Sequence, residues 1–80
     1  MSTNLYWRPL ESGKALGYSM KSIFKNLGYF NNSNKFTLTY NHIDLLKGVK
    51  YGTQNEDLIC DAETLINAIE SNGEIEIYEH

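Results

Sequence analysis

At 80 residues, 41% of them hydrophobic and 21% charged, the chain suffices for one domain with a modest core and is too apolar for disorder. Cys60 is the only cysteine, which excludes an intramolecular disulfide and points to a reducing, cytoplasmic setting. No signal peptide or membrane span is expected, because the first residues lack an apolar stretch and no window approaches ~18 apolar residues.

The net charge of −3 conceals a split. Residues 1–40 carry five cations against one acid, and residues 41–80 carry two cations against nine acids. Such asymmetry either neutralises itself within the fold or offers surfaces of opposite sign to partners.

In chain order, residues 5–8 form a strand or an ordered arm, because Tyr6 and Trp7 are costly to leave in water. Pro9 confines that piece to a sheet edge. Leu16, Met20, Ile23, Phe24 and Leu27 then recur at helical spacing and predict a helix near 16–27. Lys14, Tyr18, Lys21 and Lys25 fall on its opposite face; Gly17 weakens the first turn, and Gly28 follows as the terminating residue. The polar cluster at 31–34 is a turn.

Phe36, Leu38 and Tyr40 alternate with Thr37 and Thr39, which predicts a half-buried strand near 36–40. Asn41 suits the N-cap of a helix near 42–48, with Asp44 at its positive end and Ile43, Leu46 and Val49 inward. Residues 51–57 read as a loop. Asp61 caps a helix near 61–71 whose inner face is Ala62, Leu65, Ile66 and Ile69, and Gly73 stops it. In the closing strand near 74–78, Ile75 and Ile77 turn inward, and Glu74 and Glu76 form a negative ladder outward.

The expected fold is therefore a single α+β domain. It has a small sheet of two or three strands (near 36–40 and 74–78, with 5–8 as the third) covered on one face by about three short helices. The two main strands each have one face to bury and are expected to pair, antiparallel by preference.

Catalytic and metal chemistry find little support. His42, His80 and Cys60 lack zinc-site spacing, and Asp57, Asp61 and Glu63 lack the glycine of a calcium loop, so neither metal nor cofactor is expected. Cys60 follows Leu58 and Ile59 and reads as a small buried hydrophobe; His42 reads as a solvated helix-start residue. No G-x-S-x-G, H-E-x-x-H or G-K-[ST] stretch occurs, and enzymatic activity is not expected.

Two surfaces remain. Glu63, Glu70, Glu74 and Glu76 would form an acidic face able to occupy a partner's phosphate-binding groove. Lys14, Tyr18, Lys21 and Lys25 would form the alternative, a face for direct nucleic-acid contact, against which the pI of 5.2 counts. Either set also fits plain solvation, and charges on an outer strand also prevent sheet-to-sheet aggregation. Six tyrosines and Trp7 supply the rigid rings that protein interfaces favour. Homodimerisation through the terminal strand is a further expectation.

In size, acidity and asparagine-rich turns the chain resembles the short accessory proteins of phages and other mobile elements. That resemblance implies an inhibitor or adaptor acting on a larger host protein; the acidic face adds the expectation of a partner that handles nucleic acid.

Overall fold

Three antiparallel strands form one sheet with helices against a single face, an α+β architecture seen in a computed structural model that describes residues 4–8, 15–30 and 33–80. The elements run β1 (Leu5–Arg8), α1 (Tyr18–Asn26), β2 (Lys35–Thr39), a 3₁₀ turn (Tyr40–His42), α2 (Ile43–Tyr51), α3 (Glu56–Asn72) and β3 (Glu74–Glu79). Strand order is β1-β3-β2, with Trp7 and Phe36 both opposite Ile77, and Leu38 opposite Ile75. The terminal strand is thus central. This corrects the expectation that it lies on an outer edge, where it could pair across a two-fold axis.

Period-two alternation sorts the side chains. Leu5, Trp7, Leu38, Ile75 and Ile77 are buried beneath the helices, whereas Arg8, Lys35, Thr37 and Glu74 lie exposed on the open face. Met20 and Phe24 of α1, Leu46 of α2 and the Leu58–Ala62–Leu65–Ile69 stripe of α3 complete the core. No polar or charged residue is buried among those described.

α1 ends as its sequence requires. Gly28 adopts φ 76, its amide donates to the Lys25 carbonyl at 3.1 Å, and the Tyr29 amide donates to the Phe24 carbonyl at 3.4 Å. This is the Schellman arrangement, completed by packing of Tyr29 on Phe24. Phe36 gathers Phe24, Tyr29 and Phe30 at centroid distances of 5.1, 5.2 and 4.8 Å, which seats the end of α1 on β2.

Of the boundaries that differ from expectation, including an α2 that runs on through Gly48 to Tyr51, two have a cap as their cause. β2 stops at Thr39 rather than residue 40, because Thr39 starts the helical run. Its hydroxyl accepts from the Asn41 amide, while the Thr39 amide donates to His42 Nδ1 at 2.9 Å, a reciprocal capping box. Asn41 is therefore not the cap, and Tyr40 leaves the strand to stand exposed. Similarly, α3 begins at Glu56, five residues before Asp61, because Asn55 caps it by accepting from the Leu58 amide at 3.2 Å. Asp61, inside α3, instead accepts from the Gly17 amide at 2.8 Å and so holds the start of α1. Pro9, Lys14, Asn31 and Asn32 lie outside the described residues.

Candidate partner-binding surface

The four glutamates proposed as one acidic face are divided by the fold. Glu63, on α3, meets Lys50 of α2 at 3.1 Å. That hydrogen bond is the main cause holding the Lys50 ammonium above its usual range. Glu76, on the open face of the sheet, meets Arg8 across the β1–β3 pair at 2.9 Å. The same guanidinium lies 3.8 Å above the ring of Tyr78, which stacks with Tyr6 at 5.8 Å. Glu79 points the other way, sharing the helical face with Ile75 and Ile77, where Lys25 of α1 contacts it.

Glu70 and Glu74 have no ion-pair partner among the described residues, and the fold brings them to one corner. α3 ends beside Gly73, whose φ of 84 reverses the chain into β3 and whose amide donates to the Ile69 carbonyl at 2.7 Å. Tyr40 bridges this corner: its hydroxyl donates to the backbone carbonyl of Glu70 at 3.3 Å, and its neighbour Thr39 lies opposite Glu74 in the sheet. The ring remains 57% exposed although its hydroxyl is tethered. An open tyrosine tethered to the Glu70 backbone, one residue beyond the strand partner of Glu74, gives contact area with few rotors near two glutamates that have no ion pair among the described residues. A shallow groove of about 260 Å³, lined by Arg8, Thr37, Glu74, Ile75 and Glu76, continues the surface across the sheet's open face.

Tyr40 was the residue that strand periodicity placed inward. The signal against that placement was local: a threonine followed three residues later by a side chain able to reach back is the pattern of a capping box. His42 fills the position more often held by Glu or Gln.

The basic alternative is less continuous. Lys14 lies outside the described residues, Lys21 is half-buried, and Lys25 is engaged by Glu79 and sits 4.6 Å above the Phe30 ring. Tyr18 is 81% exposed at the start of α1.

Cys60 is exposed on α3, which corrects the expectation of burial: the buried stripe of α3 runs through Leu58 and Ala62 and leaves position 60 outside it. His42 is half-buried, with Nδ1 committed to Thr39 and its ring edge-on to Tyr29 at 5.6 Å. Neither residue lines the groove beside Glu74 or a second one, of about 270 Å³, formed by Trp7, Thr64, Asn67, Ala68 and Ser71. Among the described residues no three metal-ligating side chains converge, and no helix is long and apolar enough to cross a membrane.

The surface and fold together define a small α+β domain with an acidic, tyrosine-bearing corner. No protein-family model, curated protein or solved structure matches the chain.

Proposed function

We propose that the protein is a non-enzymatic binding module of the cytoplasm that engages a larger protein through the corner formed by Tyr40, Glu70 and Glu74. The partner presents lysines or arginines there, as a protein built to hold nucleic-acid phosphates does, and the module acts on it as an inhibitor or adaptor. The observation that carries this reading is the division of the charges. Arg8, Lys25 and Lys50 each engage a carboxylate, while Glu70, whose backbone carbonyl holds the open Tyr40, and Glu74, opposite Thr39, have no cation of their own among the described residues. Electrostatic complementarity of this kind governs the rate and selectivity of encounter more than raw affinity, and the tyrosine supplies the contact energy.

The test is reversal of the two free carboxylates. Affinity purification with the intact protein identifies the partner, and titration with the Glu70→Lys/Glu74→Lys variant measures the loss. Because both side chains are exposed, the melting curve should stay nearly unchanged while affinity falls by about tenfold or more, equivalent to at least about 1.4 kcal/mol. Unaltered affinity in the reversed variant, at unaltered stability, removes the corner from consideration. Binding of single- or double-stranded nucleic acid that weakens steeply with salt would favour the lysine face of α1 instead.

A further inference from the structure

Because β3 is central, β1 and β2 carry the outer edges of the described sheet. On β1 the edge is met within the chain, since the Leu16 amide donates to the Leu5 carbonyl at 2.7 Å. On β2 the direction of each backbone group follows from the ladder. The Glu79 amide donates to the Asn34 carbonyl at 2.9 Å, and the pairing is antiparallel. Asn34, Phe36 and Leu38 therefore turn their amides and carbonyls toward β3, while Lys35, Thr37 and Thr39 turn theirs outward. Two of those outward amides are already engaged by neighbouring side chains: Lys35 donates to Ser33 Oγ at 3.3 Å, and Thr39 donates to His42 Nδ1 at 2.9 Å. Thr37 lies between them.

We propose that the outer edge of β2 is a latent pairing surface for β2 of a second copy of this chain, and that His42 keeps it closed. The segment Lys35–Thr39 is self-complementary about Thr37. An antiparallel copy set on a two-fold axis there places Thr37 opposite Thr37, Phe36 opposite Leu38, and Lys35 opposite Thr39. No like charges face each other, and the pairs are of kinds that stabilise sheets. Among the described residues no group engages the outward amide and carbonyl of Thr37, which can exchange with those of its copy. Extending the ladder on either side requires the Thr39 amide of one chain to meet the Lys35 carbonyl of the other. The imidazole occupies that amide and turns the chain away into the 3₁₀ turn. Pairing is thereby limited to Thr37, too little to hold two copies together. A side-chain acceptor thus protects an exposed edge, a task usually given to charges, bulges or prolines.

The discriminating variant is His42→Phe, which keeps a ring against Tyr29 but has no acceptor for the Thr39 amide. Light scattering coupled to size exclusion should find the parent monomeric and His42→Phe dimeric at the same concentration. Adding Thr37→Pro should return the variant to a monomer, since proline is tolerated on an edge but cannot donate. In the parent, amide exchange followed by NMR should find Thr39 protected and Thr37 exchanging fast. Four results would each overturn the proposal: a natively folded, monomeric His42→Phe; a dimer that survives Thr37→Pro; a parent that is already dimeric; or a Thr39 amide that exchanges as fast as that of Thr37. The exchange measurement needs no variant, so it decides the matter even if His42→Phe does not fold. His42 also shapes the turn that carries Tyr40, so it is the exchange measurement on the parent, which alters no residue of the Tyr40 corner, that tests this proposal separately from the proposed function.

Discussion

Removing the carboxylate at Asp61 asks whether α1 is held in place by a side chain from α3. Gly17 precedes the helix in an extended conformation (φ −69, ψ 164) and has no side chain to serve as its own cap, so its amide relies on Asp61 Oδ2 at 2.8 Å, 44 residues away. Loss of a helix cap costs typically about 1 kcal/mol, and a hydrogen bond to an ionised acceptor contributes about 1.5–3 kcal/mol. Against this, alanine recovers up to about 0.7 kcal/mol of helix propensity inside α3. Asp61→Ala should therefore destabilise by about 1–2 kcal/mol, which for a domain of this length lowers the melting midpoint by about 4–16 °C. The assay is thermal unfolding followed by circular dichroism. Gly17→Ala supplies the second arm of a mutant cycle. A Cβ at Gly17 would come within 3.1 Å of Asp61 Oδ2 and meet nothing else among the described residues. With Asp61 replaced by alanine that crowding disappears, and Gly17→Ala should stabilise by about 0.4–1 kcal/mol through the unfolded chain. In the parent background the gain should shrink or reverse. If Asp61→Ala melts within about 1 °C of the parent, or Gly17→Ala has the same effect in both backgrounds, the cross-chain cap does not hold α1.

Two further outcomes follow from the geometry. Gly73→Ala forces an L-residue into φ 84 at a position where no atom of the described residues crowds the new methyl, so its cost is conformational, about 1–2 kcal/mol; a urea titration should show a lower midpoint at an unchanged slope, and an unchanged midpoint would contradict it. The raised Lys50 gives an alkaline signature. Its folded value lies above the ordinary 10.5, so the stability contributed by the Glu63 pair is fully present below pH 10.5 and is lost as pH rises through the folded value. The parent should accordingly lose stability more steeply than Glu63→Ala above pH 10.5, and parallel curves would show that the pair does not form in solution.

Much of the fold was legible because local rules and burial agree. Gly28 at the α1 terminus, and the alternation of Glu74, Ile75, Glu76 and Ile77, each point to one structure from adjacent residues alone. Pro9 next to Tyr6 and Trp7 likewise implied an edge strand, and β1 lies at an edge. The misplaced boundaries have a common origin. Thr39 and Tyr40, and again Asn55 and Asp61, each offer competing local signals, and the choice depends on contacts distant in sequence. Asp61 has the chemistry of a cap and acts as one, but for α1, through a fold-level approach that no local pattern encodes. The continuous stripe from Leu58 to Ile69 was the available evidence that α3 starts early. At the surface, periodicity indicated which carboxylates face outward. It could not indicate that Arg8 reaches Glu76 or that Lys50 reaches Glu63, since those partners are set by strand register and helix packing.

The split between a basic first half and an acidic second half has a structural use that accounts for part of it. Arg8 and Lys25 each bring a cation from the first half to a carboxylate on β3, one on the open face and one on the helical face. Exposed pairs of this kind contribute about 0–1 kcal/mol each, so they favour the register of β1 and the seating of α1 without being what stabilises the fold. Internal neutralisation does not explain the corner. Tyr40 follows a strand whose inward positions are taken by Phe36 and Leu38, and one more residue of strand would have carried it inward beside them. The Thr39–His42 capping box instead turns it out to the backbone of Glu70, next to the Thr39–Glu74 strand pair, and neither glutamate has an ion pair among the described residues. Solubility alone would be served by the glutamates without the ring, and the hydroxyl's hydrogen bond to Glu70 would be served by a more covered one. An exposed, tethered aromatic close to glutamates without ion pairs is what the proposed contact with a cationic partner would use.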